Sequence, residues 1–319
     1  MRWKEIQKEI PLSDIKVRPE PFCISYGFDS PKLMHSIKEI GLINPPLLIK
    51  RNNNPLYEIV FGLKRILAFK ELGYKTIPCR IIDDPNIKEY ELLLISLYDN
   101  LITRSLNEVE KAIFLKRISH YLPKEVIVEK YLPLLDIPKR EDSLELYLFI
   151  AQLDENSKRL IAKRAINIKT LKLLRLFNKK DIEKLVSYIN FLKLNFNFQI
   201  EFIETLLDLS IREDRSIVDI LADRSIRDIV EGDLNSSLKI KGLFEYLRSR
   251  RYPRYMKEEE RFKKIIKALK LPSNIEISHS PYFEGEGYIC KIRFRDGMEL
   301  GDILGELIKN EKIREIRRV

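Results

Sequence analysis

Two adjacent cations directly after a glycine form the part of this sequence best suited to binding chemistry. The apolar residues 56–61 predict a strand that ends at Gly62, and Lys64 and Arg65 begin the amphipathic helix that follows. The first amides of a helix lack intrahelical acceptors and present the positive end of the helix dipole to an anion. Two cations at this end of a helix are unfavourable unless an anion is present. The segment therefore predicts a phosphate-binding turn.

A second polar segment supplies groups that a bound nucleotide and its metal ion would need. It contains Asp99, Asn100 and Arg104. Carboxylate and amide oxygens are ligands that Mg²⁺ accepts, and a guanidinium neutralises phosphate charge. Because asparagine often ends a helix, the same segment is also predicted to end the helix that begins at residue 88.

The elements that position these residues predict a small α+β domain over residues 1–105. Strands are predicted at 46–50, 56–61 and 77–82, and helices at 31–40, 63–72 and 88–98. Gly41 and Gly73 follow the first two helices, where glycine commonly ends a helix. The predicted phosphate turn joins the second strand to the second helix.

From Asn107 the pattern becomes helical and predicts a second domain over residues 106–247. Asn107 and Glu110 have the spacing of a capping box. Residues 124–131, 132–138 and 139–151 predict a helix-turn-helix, in which Lys139 and Arg140 open the second helix and are predicted to contact DNA. Further helices are predicted at 155–165, 168–177, 180–194 and 200–209, with two short helices between 211 and 237.

Residues 248–319 predict a basic linker followed by a small α+β dimerisation domain. Five cations with no acid among them form the linker, and we interpret them as contacts to a nucleic-acid backbone. They are Arg248, Arg250, Arg251, Arg254 and Lys257. After them, a helix is predicted at 258–271, strands at 275–279 and 288–294 across a turn at 285–287, and a helix at 300–309. A core this small predicts pairing with a second copy.

Composition favours a globular protein with a polyanionic partner. Hydrophobic residues make up 45% of the chain and charged residues 33%, and the net charge is +10. The three cysteines and three histidines are scattered, which argues against a zinc site and a disulfide framework. The sequence has no apolar run of membrane-spanning length and no apolar signal core near Met1, so we expect a cytoplasmic protein.

Residues 10 to about 120 resemble the N-terminal domain of ParB-type chromosome and plasmid partition proteins. The matching segments occur in the order of that family; they are 36–38, 41–45, 57–65 with Ala68, Gly73, 77–78, 99–101 and 106–112. The middle helices are similar, more loosely, to the family's helix-turn-helix region. The tail is similar to the family's C-terminal dimerisation domain.

The resemblance implies a ParB/sulfiredoxin-like α+β fold and a dimeric DNA clamp that is switched by CTP and Mg²⁺. By motif, Gly62, Lys64 and Arg65 would cradle the triphosphate. Asp99 and Asn100 would lie at the metal ion, and Asn100 and Arg104 at the phosphates. The implied partners are DNA, a second copy of the chain and a ParA-type ATPase, with no membrane.

The motifs depart from the family pattern at three places. Residues 18–23 replace the family's early Gln-Pro-Arg element, which lies near the nucleotide. Leu63 replaces the acid of the usual Gly-Glu-Arg-Arg turn, and Thr103 occupies the arginine position of the usual Glu-Asn-x-x-Arg segment. Arg104 follows one residue late. One residue on a helix corresponds to a rotation of about 100°, so Arg104 is expected to point away from the family's usual direction.

Two other functions are compatible with the residues. Free-serine kinases and sulfiredoxins have related folds and transfer phosphoryl groups, but such kinases carry an Asp-Gly-His-His-Arg-type element. Residues 61–65 contain neither the aspartate nor the histidines, which leaves no obvious general base. At most, a slow CTPase is expected. The third function is a non-catalytic adapter with a degenerate nucleotide pocket.

Overall fold

The structure is a computed structural model, and it describes residues 3–17, 21–27, 31–51, 55–84, 86–280, 287–310, 312–313 and 316. Residues 285 and 286 of the predicted turn at 285–287 lie outside the described residues. The chain divides into two compact units, residues 1–200 and 201–319. The three-part division drawn from the sequence, with boundaries after 105 and 247, stays a prediction.

The first unit begins with a five-stranded mixed sheet in the order β1-β5-β3-β4-β2. The strands are β1 (Glu5–Pro11), β2 (Ile15–Lys16), β3 (Leu47–Lys50), β4 (Tyr57–Phe61) and β5 (Thr76–Ile82). The pairs β1–β5 and β3–β4 are antiparallel, and the pairs β3–β5 and β2–β4 are parallel. The three helices of this region are α1 (Pro31–Ile40), α2 (Leu63–Glu71) and α3 (Glu89–Thr103).

Apolar side chains on both faces of the sheet are buried, because successive residues of a strand point to opposite faces. Leu48 and Ile59 pack in one cluster with Leu63 and Ile66 of α2. The neighbouring Leu47 and Val60 pack in a second cluster with Leu92 and Ile95 of α3. The sheet therefore lies between α2 and α3, and the end of β4 leads directly to the predicted phosphate turn.

The rest of the first unit is helical, as predicted. Its helices are α4 (Glu108–Ile118), α5 (Lys124–Val126), α6 (Leu132–Leu134), α7 (Glu141–Gln152), α8 (Glu155–Ala162), α9 (Ile168–Leu174) and α10 (Lys179–Phe191), with a π-helical turn at Ile127–Tyr131. The capping box at the start of α4 is confirmed, because the Asn107 side chain accepts from the amides of Val109 and Glu110. Lys139 and Arg140 precede α7 instead of opening it, and Arg140 is its N-cap.

Helix α11 (Phe196–Glu213) spans the boundary between the units. The second unit continues with α12 (Ile217–Leu221), α13 (Arg224–Glu231), α14 (Ser236–Arg251), α15 (Pro253–Leu269), β6 (Ile275–His279), β7 (Tyr288–Ile292) and α16 (Gly297–Lys309). Strands β6 and β7 form an antiparallel pair. The two short helices predicted between 211 and 237 are confirmed as α12 and α13.

Two predictions of local structure are wrong. The segment Asp99–Asn100 does not end its helix, which continues to Thr103. The side-chain Nδ2 of Asn100 donates back to the Ser96 carbonyl oxygen at 2.7 Å within this helix. The segment 248–257 is not a linker, since its cations lie in α14 and at the start of α15, with a break at Tyr252. Leu243, Phe244 and Leu247 on α14 are buried, and this packing fixes the helix.

Candidate nucleotide-phosphate site

The turn between β4 and α2 requires glycine for two reasons. Gly62 has a φ of +94°, in the left-handed region that side chains with a Cβ disfavour. A Cβ built at this position would lie 2.6 Å from the Cβ of Pro46. The Gly62 carbonyl oxygen also accepts from the amides of Arg65 and Ile66, at 3.0 and 3.2 Å, and so starts the helix. This geometry fixes where Lys64 and Arg65 leave the backbone.

Alanine at position 62 is expected to destabilise the protein by about 2–4 kcal/mol, because a left-handed residue with a Cβ costs about 1–2 kcal/mol and the Pro46 contact adds strain. The matched control is Gly73→Ala, since Gly73 also has a positive φ, +80°, but no atom within 4 Å of its Cβ position. Urea unfolding of both variants separates the two costs. Equal losses at positions 62 and 73 would contradict the role of the close approach.

The cations Lys64 and Arg65 are half-buried at the start of α2. Neither side chain forms an ion pair or a hydrogen bond within the described part of the chain. Burial lowers the pKa of Lys64, and the charge of Arg104 lowers it further while Glu110 opposes this change. Burial also lowers the pKa of Arg65, against the effect of Asp99. An anion bound here would remove the cost of holding both charges away from water.

Asp99 is a half-buried carboxylate that faces three arginines. Burial raises the pKa of Asp99, and the charges of Arg65, Arg80 and Arg104 oppose that rise. Among the described residues, its carboxylate has no ion pair within 4.0 Å and no hydrogen bond. A bare divalent cation is disfavoured beside three guanidinium groups, but Mg²⁺ commonly binds with phosphates and only one or two carboxylates. Asp99 therefore fits an ion that enters with a polyphosphate.

The Arg104 side chain lies at the site, although it stands one residue after the arginine position of the family pattern. The expected 100° rotation does not apply, because α3 ends at Thr103 and Arg104 has an extended backbone. Its Nη2 donates to the Asn100 Oδ1 at 2.7 Å. The guanidinium also binds Glu110 in a bidentate manner, with distances of 2.6 and 2.8 Å. In this arrangement the Asn100 Oδ1 accepts from Arg104, and the role of Asn100 at a metal ion stays a prediction.

Glu110 organises the site from α4, a role that the sequence did not predict beyond the capping box. Its side chain is fully buried and accepts four hydrogen bonds. Two come from Arg104, one from the amide of Asn107 and one from the amide of Tyr26, the latter two at 3.0 Å. The capping-box spacing was the signal that could have indicated this residue. Glu110 thereby connects the sheet region to the helical region within the first unit.

The structure brings together the residues predicted for nucleotide and metal, and it leaves the residues predicted for DNA elsewhere. The first group converges on the turn between β4 and α2; it comprises Gly62, Lys64, Arg65, Asp99, Asn100 and Arg104. Lys139 pairs with Glu129 in front of α7. The first turns of α7 are acidic, and Lys124 pairs there with Glu141 and Glu145.

The second predicted DNA segment is largely paired with carboxylates. Arg248 pairs with Glu201 at 2.6 Å, and Arg251 pairs with Asp208. Arg250 binds both Glu213 and Asp223, and burial of this group is outweighed by these hydrogen bonds, so the pKa of Arg250 is raised. Within the described ranges, Arg254 and Lys257 form no ion pair. These two residues remain available for a phosphate.

Comparison with known proteins defines the class of this fold and site. Residues 3–101 match the ParB N-terminal domain family. The chain is 32% identical over 185 residues to a probable chromosome-partitioning protein ParB of Campylobacter jejuni, covering 56% of this chain and 63% of that protein. It is 25% identical over 161 residues to a nucleoid occlusion protein of Bacillus cytotoxicus, covering 50% and 52%. Residues 3–101 therefore form a ParB N-terminal domain, and the predicted resemblance to ParB-type partition proteins and the predicted α+β fold are confirmed.

The chain spans less than two thirds of the length of these two relatives. A solved structure of C-terminally truncated ParB from Caulobacter crescentus, complexed with CTP-γ-S, has a TM-score of 0.27 and 17% identity, covering 57% of this chain and 98% of that one. Across the described ranges, no helix is both long and apolar enough to cross a membrane.

Proposed function

We propose that this protein is a DNA-binding partition protein, dimeric, whose hold on DNA is switched by CTP bound at the turn between β4 and α2. The observation that carries the proposal is the pair Lys64 and Arg65. Two half-buried cations at the start of a helix, which form no ion pair with the residues described, are stabilised by a polyphosphate. The preference for cytosine comes from the family. The same family suggests a ParA-type ATPase as a partner and a location at the nucleoid.

The residues of the site divide into those that would hold the ligand and those that position others. Lys64 and Arg65 would bind phosphate oxygens. Asp99 would hold Mg²⁺ together with those oxygens, and the ion would neutralise charge on the triphosphate. Arg104 lies beside Lys64 but is bound to Glu110. Asn100 would act through Arg104, as a positioning residue.

The proposed switch is a competition for Arg104. In the present arrangement Glu110 is its anionic partner, and this pair connects α3 to the start of α4. A polyphosphate on Lys64 would offer Arg104 a second anionic partner. A ligand shifts a conformational equilibrium only by its differential affinity for the two states, and exchange of the Arg104 partner would supply that difference.

The tail is proposed to pair with a second copy of the chain. Large apolar side chains there are exposed, among them Met298 at 84% and Ile308 at 82%. Among the residues described between 269 and 309, the buried apolar ones are Leu269, Ile275 and Ile303. A module with so few buried side chains gains stability by covering its apolar surface with another copy. A sedimentation mass of a single chain at micromolar concentration would contradict this part of the proposal.

Titration of the protein with CTP in the presence of Mg²⁺, followed by duplex DNA binding, tests the proposal. We expect heat of binding with CTP that excess ATP and GTP do not abolish, and a DNA affinity that changes when CTP is added. Calorimetry measures the first and fluorescence anisotropy the second. DNA binding without any CTP effect would favour the adapter, for which the engagement of Asn100 by Arg104 is the supporting observation. Transfer of label from ATP to free serine would favour the phosphotransfer enzyme.

A further inference from the structure

A basic segment that the sequence analysis did not single out lies after the helix-turn-helix. Between residues 156 and 180 there are nine cations and no carboxylate. They are Lys158, Arg159, Lys163, Arg164, Lys169, Lys172, Arg175, Lys179 and Lys180. The segment runs from α8 through α9 to the first residues of α10, all within the first unit.

Most of these cations are exposed and have no counter-charge. Lys158, Arg175 and Lys179 form ion pairs, the last at a distance of 3.9 Å from Glu183. Among the described residues, the other six form none, and all six are exposed; they are Arg159, Lys163, Arg164, Lys169, Lys172 and Lys180. The run at 248–257 differs, because three of its five cations are neutralised within the protein.

Helix α9 presents the centre of this surface beside the second helix of the helix-turn-helix. Leu171 and Leu174 are buried, and Lys169 and Lys172, three residues apart, occupy the exposed side. Arg175 donates to Asp142 in the first turn of α7, at 2.6 Å. The pKa of Asp142 is lowered, chiefly by this hydrogen bond and further by the charges of Lys172 and Arg140. Lys172 therefore lies near the start of α7.

Ion pairs at the start of α7 reduce a repulsion that would otherwise oppose DNA. Asp142 and Glu145 are exposed carboxylates, and carboxylates near a phosphate backbone cost affinity. Arg175 binds Asp142 at 2.6 Å and Glu145 at 3.4 Å. Arg175, directly after α9, thus neutralises carboxylates at the start of α7. Helix α9 itself carries Lys169 and Lys172, which form no ion pair with the described residues.

We propose that α9, with the adjoining ends of α8 and α10, holds the phosphate backbone of DNA, and that Lys169 and Lys172 are central contacts. This inference rests on the proposed DNA-binding function and assigns it a surface. The partner is identified by charge complementarity, since exposed cations without carboxylates fit a phosphate backbone and carry no base preference. Binding through this surface is therefore independent of sequence.

The test is the salt dependence of duplex binding by the full chain and by K169A/K172A. Fluorescence anisotropy with a mixed-sequence duplex gives the association constant at several salt concentrations. We expect the slope of its logarithm against the logarithm of salt to fall in magnitude by about 2, since each phosphate contact contributes about 0.9. At low salt the affinity is expected to fall by roughly 10-fold or more.

Two control variants make the outcome specific. K70A/K75A removes the same charge from exposed positions in the sheet region and should keep the wild-type slope. K169R/K172R retains the charge and should also keep it. A K169A/K172A slope equal to that of wild type would overturn the proposed surface while leaving DNA binding intact. If the wild-type chain binds no duplex at any salt concentration, both the surface and the proposed function fail.

Discussion

Alanine at position 65 is expected to weaken CTP binding by about 10- to 100-fold, because a charge-assisted hydrogen bond contributes about 1.5–3 kcal/mol. Arg65 is the guanidinium nearest in sequence to the start of α2, and no carboxylate of the described residues pairs with it. Its loss removes a phosphate partner, and Asp99 still faces the charges of Arg80 and Arg104. Calorimetric titration with CTP at fixed Mg²⁺ concentration measures the change.

The same variant should keep the stability of the wild-type protein or exceed it. Removing a half-buried cation from a helix start relieves both the desolvation and the unfavourable dipole interaction. Lys70→Ala is the matched control, since Lys70 lies exposed at the opposite end of the same helix and should leave CTP affinity unchanged. Retained affinity in Arg65→Ala would remove the support for the proposed site. A large drop in melting temperature would instead assign Arg65 a structural role.

Alanine at position 110 is expected to lower the free energy of unfolding by about 3–5 kcal/mol, the usual cost of breaking a buried ion pair. The Glu110 carboxylate has no exposed surface, and its four hydrogen bonds include the amides of Tyr26 and Asn107. Its removal leaves Arg104 without its anionic partner and opens the capping box of α4. Urea unfolding, monitored by circular dichroism, measures the loss.

Two further variants distinguish the loss of the Glu110–Arg104 ion pair from a nonspecific loss of stability. Glu125→Ala removes an exposed acid near the start of α5 and should change stability by less than about 0.5 kcal/mol. In the Glu110→Ala background, Arg104→Ala should cost little more, because the two groups interact directly and their effects are not additive. Additive losses, or a Glu110→Ala variant as stable as wild type, would contradict the central position of this pair.

Much of the site could be predicted from the sequence because its parts are local. Strand β4, the glycine and the start of α2 lie within eleven consecutive residues and depend on period, capping and backbone conformation. The capping box of α4 was predicted for the same reason, since Asn107 and Glu110 are three residues apart. The correct order of segments then indicated the family.

The sequence did not predict β1 as a strand, because only Ile10 of its seven residues is buried and no apolar alternation marks it. The strand exists through its pairing with β5, where Glu5 lies opposite Ile82, and through a contact of Glu5 with Arg80 at 2.8 Å. Pairing partners so far apart in the chain cannot be derived from a local period.

What the sequence determined by itself is the strand–glycine–helix turn, the two cations on it and the start of α4, since each depends on interactions within a few residues. Only the tertiary structure decided which charges are satisfied. Tyr26 reaches Glu110 across 84 residues, and the arginines of α14 meet carboxylates 27 to 47 residues away. Such ion pairs form because packing of distant elements places the groups together. The structure thereby distinguishes these arginines from Lys64 and Arg65, which form no ion pair with any residue that the structure describes.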